Sequence, residues 1–212
     1  IIPVSCTGMK AIVYKSTGSW YSIRDEEGRF WNGRMKGVMK LDDITSTNPV
    51  AVGDLVMAEV ENEESGTAII DEILDRHNYI NRQSPRHKHQ QHIVAANLDQ
   101  SLLIATLREP KTSQGFIDRF LVACEMYHVP AVIAFNKSDL YKAKELEKYE
   151  GWKAMYEAIG YKVILVSAEK KVGLDEFSQV LKDKATLLCG HSGVGKSSLL
   201  NDKEILQKEM AA

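Results

Sequence analysis

Residues 190–197, Gly190-His191-Ser192-Gly193-Val194-Gly195-Lys196-Ser197, fit the pattern G-x-x-x-x-G-K-[ST]. Glycines at these places let successive backbone N–H groups turn inward around phosphate oxygens. Lys196 then reaches the β- and γ-phosphates, stabilising charge during phosphoryl chemistry, and the Ser197 hydroxyl ligates Mg2+. The motif follows a strand-like run, Thr186-Leu187-Leu188-Cys189, and opens a helix-like one, which is the context it needs. A helix N-terminus there adds partial positive charge. Asn136-Lys137-Ser138-Asp139 follows another strand-like run, Val132-Ile133-Ala134-Phe135. Guanine presents N1–H and an N2 amino group side by side, and the Asp139 carboxylate can accept both. Adenine offers no such donor pair and would leave the charge unpaired, so the site would reject it. Asn136 is expected to tie this loop to the phosphate loop, and the Lys137 stem to cover the face of the base. Ser167-Ala168, after a third strand-like run, sits where a backbone N–H could reach guanine O6. The dipeptide is weak alone and takes its weight from position. His191 is a candidate catalytic group, but a variable loop position is the favoured reading.

Stepping outward, residues 93–201 alternate strand and helix. Runs at 102–105, 132–135, 163–166 and 186–189 have the length of buried strands. Between them, Ile117, Phe120, Leu121 and Cys124, then Leu146, Tyr149, Trp152, Tyr156 and Ile159, then Leu174, Phe177 and Leu181, recur at helical spacing. Alternation of this kind predicts a parallel sheet covered by helices, with ligands beyond the carboxyl ends of the strands. The motifs above fall there. Residues 9–75 read differently: about five short alternating strands, at 11–14, 20–23, 29–31, 55–60 and 68–73, with turns every ten or so residues. A small barrel follows, with an OB fold the best fit to the strand count. Residues 76–92 carry Arg76, Arg82, Arg86 and Lys88, with Asp75 the nearest acid before them, and read as a basic linker. His87, His89 and His92 could form a metal site there, but a polar exposed loop is favoured, since no cysteine or carboxylate completes a ligand set. Residues 1–8 precede a start-like Met9-Lys10 and read as an extension, and 202–212 form a charged, helix-prone tail of uncertain connection.

The chain has 212 residues, 44% hydrophobic and 26% charged, with a net charge of −2. That balance suits a soluble protein and argues against a wholly basic nucleic-acid binder. No stretch resembles a membrane span. The three cysteines, Cys6, Cys124 and Cys189, are odd in number and lack metal-ligand spacing, so free thiols in a reducing cytosol are expected.

In ordinary GTPases the phosphate loop precedes the guanine readers. Here the readers, at 136 and 167, come first, so the chain looks like a circularly permuted GTPase. With a barrel in front, it resembles the RsgA/YjeQ (EngC) family of ribosome-associated GTPases. The resemblance includes Thr17-Gly18-Ser19-Trp20, the run from Ser46 to Asp54, Ala95 to Gln100, Asn136 to Asp139, Ser167-Ala168 and Gly190 to Asn201. It implies an OB domain followed by a permuted P-loop GTPase domain, incomplete here, and GTP hydrolysis stimulated by the small ribosomal subunit. It also implies a cytoplasmic role in late maturation of that subunit, with the protein acting as a monomer. The family's base and phosphate contacts transfer to Asn136, Lys137, Asp139, Ser167 and Ala168, and to the loop Gly190, His191, Ser192, Gly193, Val194, Gly195, Lys196, Ser197 and Ser198. The implied ligands are GTP or GDP with Mg2+. The family's zinc belongs to a C-terminal domain whose Cys and His ligands are not in this sequence, and neither are its switch motifs, so no water-positioning residue can be named. An alternative is an RNA-binding module that uses guanine nucleotide only as a conformational ligand. An ATPase or kinase shares the phosphate loop but leaves Asn136-Lys137-x-Asp139 unexplained.

For contact with small-subunit RNA, Arg29, Arg34, Lys36 and Lys40 lie in a stretch without acidic residues, near the aromatics Trp20, Tyr21, Phe30 and Trp31. OB folds use bases for backbone phosphates and aromatics for stacking. Trp20, Tyr21, Arg29, Arg34, Lys36 and Lys40 are the expected RNA contacts, the competing reading being that the aromatics fill the barrel core and the basic side chains are a solvated face.

Overall fold

A computed structural model describes residues 8–36, 49–83 and 91–201. Lys40, His87, His89, the His92 side chain, Cys6 and the tail from 202 lie outside the described residues. Two compact units divide the chain, one up to Asn97 and one from Leu98 on.

In the first unit, β1 (Met9–Thr17), β2 (Trp20–Asp25), β3 (Phe30–Met35), β4 (Leu55–Asn62) and β5 (Thr67–Ile73) close into a barrel in the order β1-β2-β3-β5-β4. β3 and β5 run parallel, the remaining pairs antiparallel, and β4 returns to β1. This is the OB arrangement expected from the strand count. Alternate residues point inward, and Val13, Tyr21, Ile23, Trp31, Val56, Ala58 and Ile70 fill the interior. Asp54, fully buried, accepts two 2.6 Å bonds from Arg76, whose guanidinium also bonds the Pro49 carbonyl at 2.7 Å.

Residues 76–92 are not simply a linker loop. β6 (Tyr79–Gln83) and β7 (Gln91–Ala96) pair antiparallel. Tyr79-Ile80 and Ile93-Val94, β-formers on the two strands, favour this pairing over an irregular loop. β7 is held to the barrel by a bridge from Ala95 to Val52 and by Asn97 donating to the Gly53 carbonyl at 3.0 Å. Gly53 is required there: its φ is +89°, and a Cβ would stand 2.1 Å from the Ala96 carbonyl oxygen.

The second unit is a parallel sheet of β8 (Gln100–Ala105), β9 (Ala131–Phe135), β10 (Lys162–Leu165) and β11 (Thr186–Cys189), in the order β10-β9-β8-β11. β8 is buried along its whole length, as its unbroken apolar run requires of a strand covered on both faces. One face packs on α1 (Gln114–Met126) and α2 (Ala143–Ala158) through Leu103, Ile133, Phe135, Ile117, Leu121 and Tyr156. The other packs on α3 (Leu174–Leu181) and α4 (Lys196–Leu200) through Leu102, Ile104, Ile164, Phe177 and Leu199. Four loops therefore leave the same edge of one sheet. Cys124 and Cys189 are free thiols. Among the described residues no helix is long and apolar enough to cross a membrane.

Candidate functional site

Three of those loops are joined by one side chain. Asn136, 1% exposed, follows β9. Its amide nitrogen donates to the Val194 carbonyl at 2.8 Å, inside the phosphate loop, and its Oδ1 accepts from the Ala168 N–H at 3.3 Å. Val194 is itself fully buried in the core, so the loop is anchored at its centre. Gly195 makes the approach feasible: with φ +92°, it leaves open the place where a Cβ would stand 2.4 Å from the Asn136 amide nitrogen.

Asp139 lies in a short 3-10 turn, Ser138–Leu140, entered through Lys137 in left-handed conformation at φ 61°. Its Oδ1 accepts a hydrogen bond from the fully buried Ser167 hydroxyl, and that oxygen accepts from the Lys170 N–H at 3.1 Å. Ser167 thereby holds one carboxylate oxygen in place. Its own position is set by a bridge to Val172, with N–H to carbonyl distances of 2.9 and 3.1 Å. Asn136, Lys137, Asp139, Leu140, Ala168, Glu169, Gly195 and Ser198 line a cavity of about 290 Å3. Its lining includes Asp139, in the turn after β9, and Gly195 and Ser198, at the C-terminal end of the phosphate loop. In that loop Gly190, Gly193 and Gly195 have φ of +144°, +81° and +92°, conformations that disfavour any side chain. The Lys196 ammonium donates to the carbonyls of Gly190 and His191, both at 2.8 Å, and so lies across the loop. His191 stacks on Phe116 of α1, with ring centres 3.9 Å apart. Ser192, Ser197 and Ser198 are exposed.

Two supports had no motif to announce them. Tyr141 is buried; its hydroxyl donates to the Asn136 carbonyl at 2.8 Å and accepts from the Leu107 N–H at 3.0 Å. Burial pushes this phenol up to about 12, so it stays a donor at neutral pH. The loop after β8 is the second. Thr112 donates its N–H to the Thr106 carbonyl at 2.7 Å and its hydroxyl oxygen accepts from the Thr106 N–H at 3.0 Å, closing the loop. The closed loop offers the Glu109 carbonyl to the Lys137 ammonium. Its position at the carboxyl end of a buried parallel strand is the one sequence signal that could have drawn attention to it.

The expected RNA contacts on the barrel fare differently. Trp20 is 47% exposed and borders a cavity of about 380 Å3 with Arg34 and Pro49. Tyr21 is a correction: it is buried in the barrel and points its hydroxyl at the Met35 sulfur, so it cannot stack on a base. Arg29 pairs with Glu27 and Glu63, Arg34 with Glu61, and Lys36 with Asp71. The stretch lacks acids in sequence, but Glu27 lies just before it, and closure of the barrel brings in Glu61 of β4, Asp71 of β5 and Glu63 from the turn between them, reducing its net positive charge.

Comparison with known proteins gives the family and the fold. The description RsgA GTPase matches residues 73–211, and RsgA N-terminal domain matches residues 10–68. A small ribosomal subunit biogenesis GTPase RsgA of Cytophaga hutchinsonii is 49% identical over 193 residues, covering 91% of this chain and 63% of that protein. RsgA 2 of Bacteroides thetaiotaomicron is 48% identical, covering 91% and 62%. The chain thus spans just over three-fifths of the length of these curated relatives. Among solved structures, YjeQ from Thermotoga maritima superposes with a TM-score of 0.76 at 32% identity, covering 92% of this chain and 64% of that one. YloQ, described as a circularly permuted GTPase, gives 0.71 at 28% identity, covering 95% and 66%.

Proposed function

This chain belongs to the RsgA GTPase family, and from that premise we propose that it binds and hydrolyses GTP and acts on the small ribosomal subunit during its maturation in the cytoplasm. The observation that carries the reading is Asn136, which ties the guanine-reading loop to the phosphate loop at 2.8 Å beside a cavity that Asp139 also lines. Asp139, with one oxygen held by Ser167, accepts the N1–H and N2 amino protons of guanine. Ala168 supplies a backbone contact to the base edge, and Lys137 lays its stem along the base on the way to Glu109. Gly190 to Ser198 wrap the phosphates. On phosphate entry the Lys196 ammonium exchanges two carbonyl partners for phosphate oxygens, a stronger charge-assisted bond. It then offsets the charge that develops as water attacks the γ-phosphorus and the bond to the departing GDP breaks.

The exposed Ser197 hydroxyl, next to Lys196, is an oxygen donor of the type a hard cation takes, and it would hold Mg2+ together with the nucleotide's phosphates. When bound, the ion neutralises phosphate charge. On the barrel side, Trp20 presents an open ring beside Arg34 for contact with subunit RNA. The test is single-turnover hydrolysis of GTP by this chain with and without purified small subunits. The reading expects a slow basal rate that subunits raise. A chain that binds GDP tightly but hydrolyses GTP at the rate of water under both conditions would refute it, in favour of a nucleotide-controlled RNA binder.

A further inference from the structure

The outer face of β1–β3 holds a cluster that neither the nucleotide site nor the expected RNA contacts use. Phe30 is 58% exposed and Tyr14 48% exposed, on strands that flank β2. A register shift between Val13 and Lys15 makes Tyr14 the extra residue of a bulge, a device that re-aims a side chain. Its ring meets that of Phe30 edge-on at 5.4 Å between centres. Arg24 of β2 lies between them, its guanidinium carbon 6.0 Å from the Tyr14 ring centre and 5.7 Å from that of Phe30. The guanidinium is held there by bonds to the Gly28 carbonyl at 3.2 Å and the Tyr14 hydroxyl at 3.4 Å.

Charge separates this cluster from the expected RNA contacts. Arg29, Arg34 and Lys36 are matched by carboxylates. Among the described residues Arg24 forms no ion pair. The nearest acid in sequence, Asp25, spends its oxygens on the Trp31 indole N–H and the Arg29 N–H, both at 2.8 Å. A groove of about 210 Å3, bordered by Lys10, Ile12, Asp25, Glu26 and Leu55, shares Arg24 with the cluster. Two open ring faces beside an unmatched, pre-oriented guanidinium suit a ligand that brings flat π-faces and negative charge together. A single-stranded nucleic acid does so at every residue: bases stack on the rings, and the phosphate between them meets Arg24. A fully paired duplex does not, because its bases are already stacked. An apolar protein surface gains nothing from the unmatched cation.

We infer that Tyr14, Arg24 and Phe30 form a stacking platform for unpaired nucleobases, on the barrel face carrying β2 and β3. The inference rests on the RNA-partner part of the function proposed above and centres the contact on Tyr14 and Arg24, which the sequence did not single out, with Phe30 beside them.

The test uses this chain and a labelled oligouridylate of about a dozen nucleotides, within the span that one OB fold covers. Tyr14→Ala and Phe30→Ala, both at exposed positions, should each weaken binding by about tenfold. Arg24→Gln should flatten the dependence of log affinity on log salt by about 0.7, and Arg24→Lys should restore it. Affinity for GDP, read on the other unit, should be unchanged in all four variants. The inference is overturned if wild type does not bind the oligonucleotide, if the ring variants bind it like wild type, or if duplex RNA competes as well as single strands. Loss of small-subunit binding in the ring variants without any oligonucleotide binding by wild type would assign the face to a protein partner instead. Failure of the GTPase reading shows separately, in the subunit-stimulated hydrolysis assay.

Discussion

Gly195 and Asn136 offer a double-mutant cycle whose outcome follows from their contact. Asn136→Ala removes the 2.8 Å bond to the Val194 carbonyl and the 3.3 Å bond from Ala168. The first orphans a carbonyl of a fully buried residue, costing about 1–3 kcal/mol, and the second, longer and partly exposed, about 0.5–1 kcal/mol. Gly195→Ala carries two penalties. A left-handed φ of +92° costs a residue with a Cβ about 1–3 kcal/mol. The Cβ also lands 2.4 Å from the Asn136 amide, so Asn136 must swing away and lose the same bonds. In the double variant the second penalty has nothing to act on. The two single effects should therefore exceed the double by about 2 kcal/mol, well outside the scatter of independent sites. Amide hydrogen exchange of the buried β8 and β9 strands reads the opening free energy of this unit separately from the barrel. Additivity within about 0.5 kcal/mol would refute the reasoning. Asn136 would then not be the strut between the loops, whatever its distance from Val194.

Three further outcomes are expected. Asp139→Asn should lose GDP and gain xanthosine diphosphate, because the amide offers a donor where guanine has one and xanthine has an acceptor. Competition of both against a labelled guanine nucleotide, with ATP as control, checks it, and equal competition by ATP would return the phosphate loop to adenine chemistry. Arg76→Met should destabilise the barrel by about 3–5 kcal/mol, since it strands the fully buried Asp54 carboxylate, and should leave GDP affinity unchanged; urea unfolding followed by Trp31 fluorescence, alongside GDP titration, measures both. Alkaline pH should weaken the second unit: burial holds the Tyr141 and Tyr149 phenols near 12, above the ordinary value of 10. The folded state therefore keeps protons that the unfolded state releases. The stability is whole below pH 10 and is lost as pH rises through about 12, a window that phenolate absorbance and exchange rates in parallel should reproduce.

What could be read from the sequence was whatever is local and periodic. The barrel strands declared themselves by alternation, the sheet by apolar runs such as Leu102 to Ala105, and the nucleotide loops by fixed spacings after strands. What stayed hidden depends on partners far away in the chain. Arg34 and Lys36 looked like free cations until strand pairing set them beside Glu61 and Asp71. Tyr21 and Trp20 are adjacent, yet the period of a strand sends one into the core and the other to solvent. Tyr141 looked like any tyrosine after a turn, and only the fold brings Leu107 within 3.0 Å of its hydroxyl. The β6–β7 pairing is masked by composition, because Arg and His crowd a stretch whose β-forming residues are only Tyr79-Ile80 and Ile93-Val94.

The order of the motifs along the chain raises a physical question that the sheet answers. The base readers follow β9 and β10, and the phosphate loop follows β11, with β8 between β9 and β11. In a parallel sheet every strand delivers its carboxyl end to the same edge, so chain order does not matter to the site; spatial order does. The cost of this arrangement is that β8 separates the base reader from the phosphate loop, and its outgoing loop must not block the path. The closure of Thr106 against Thr112 keeps that loop tight, and its Glu109 carbonyl holds the Lys137 ammonium. Asn136 donates its backbone N–H to Ala105, the last residue of β8, at 2.8 Å, and its side chain then reaches past that strand to Val194. One residue thus bonds β8, the β10 loop and the phosphate loop at once. Any permutation that preserves the strand order β10-β9-β8-β11 keeps those contacts, which is why a reordered chain can bring the same three loops together.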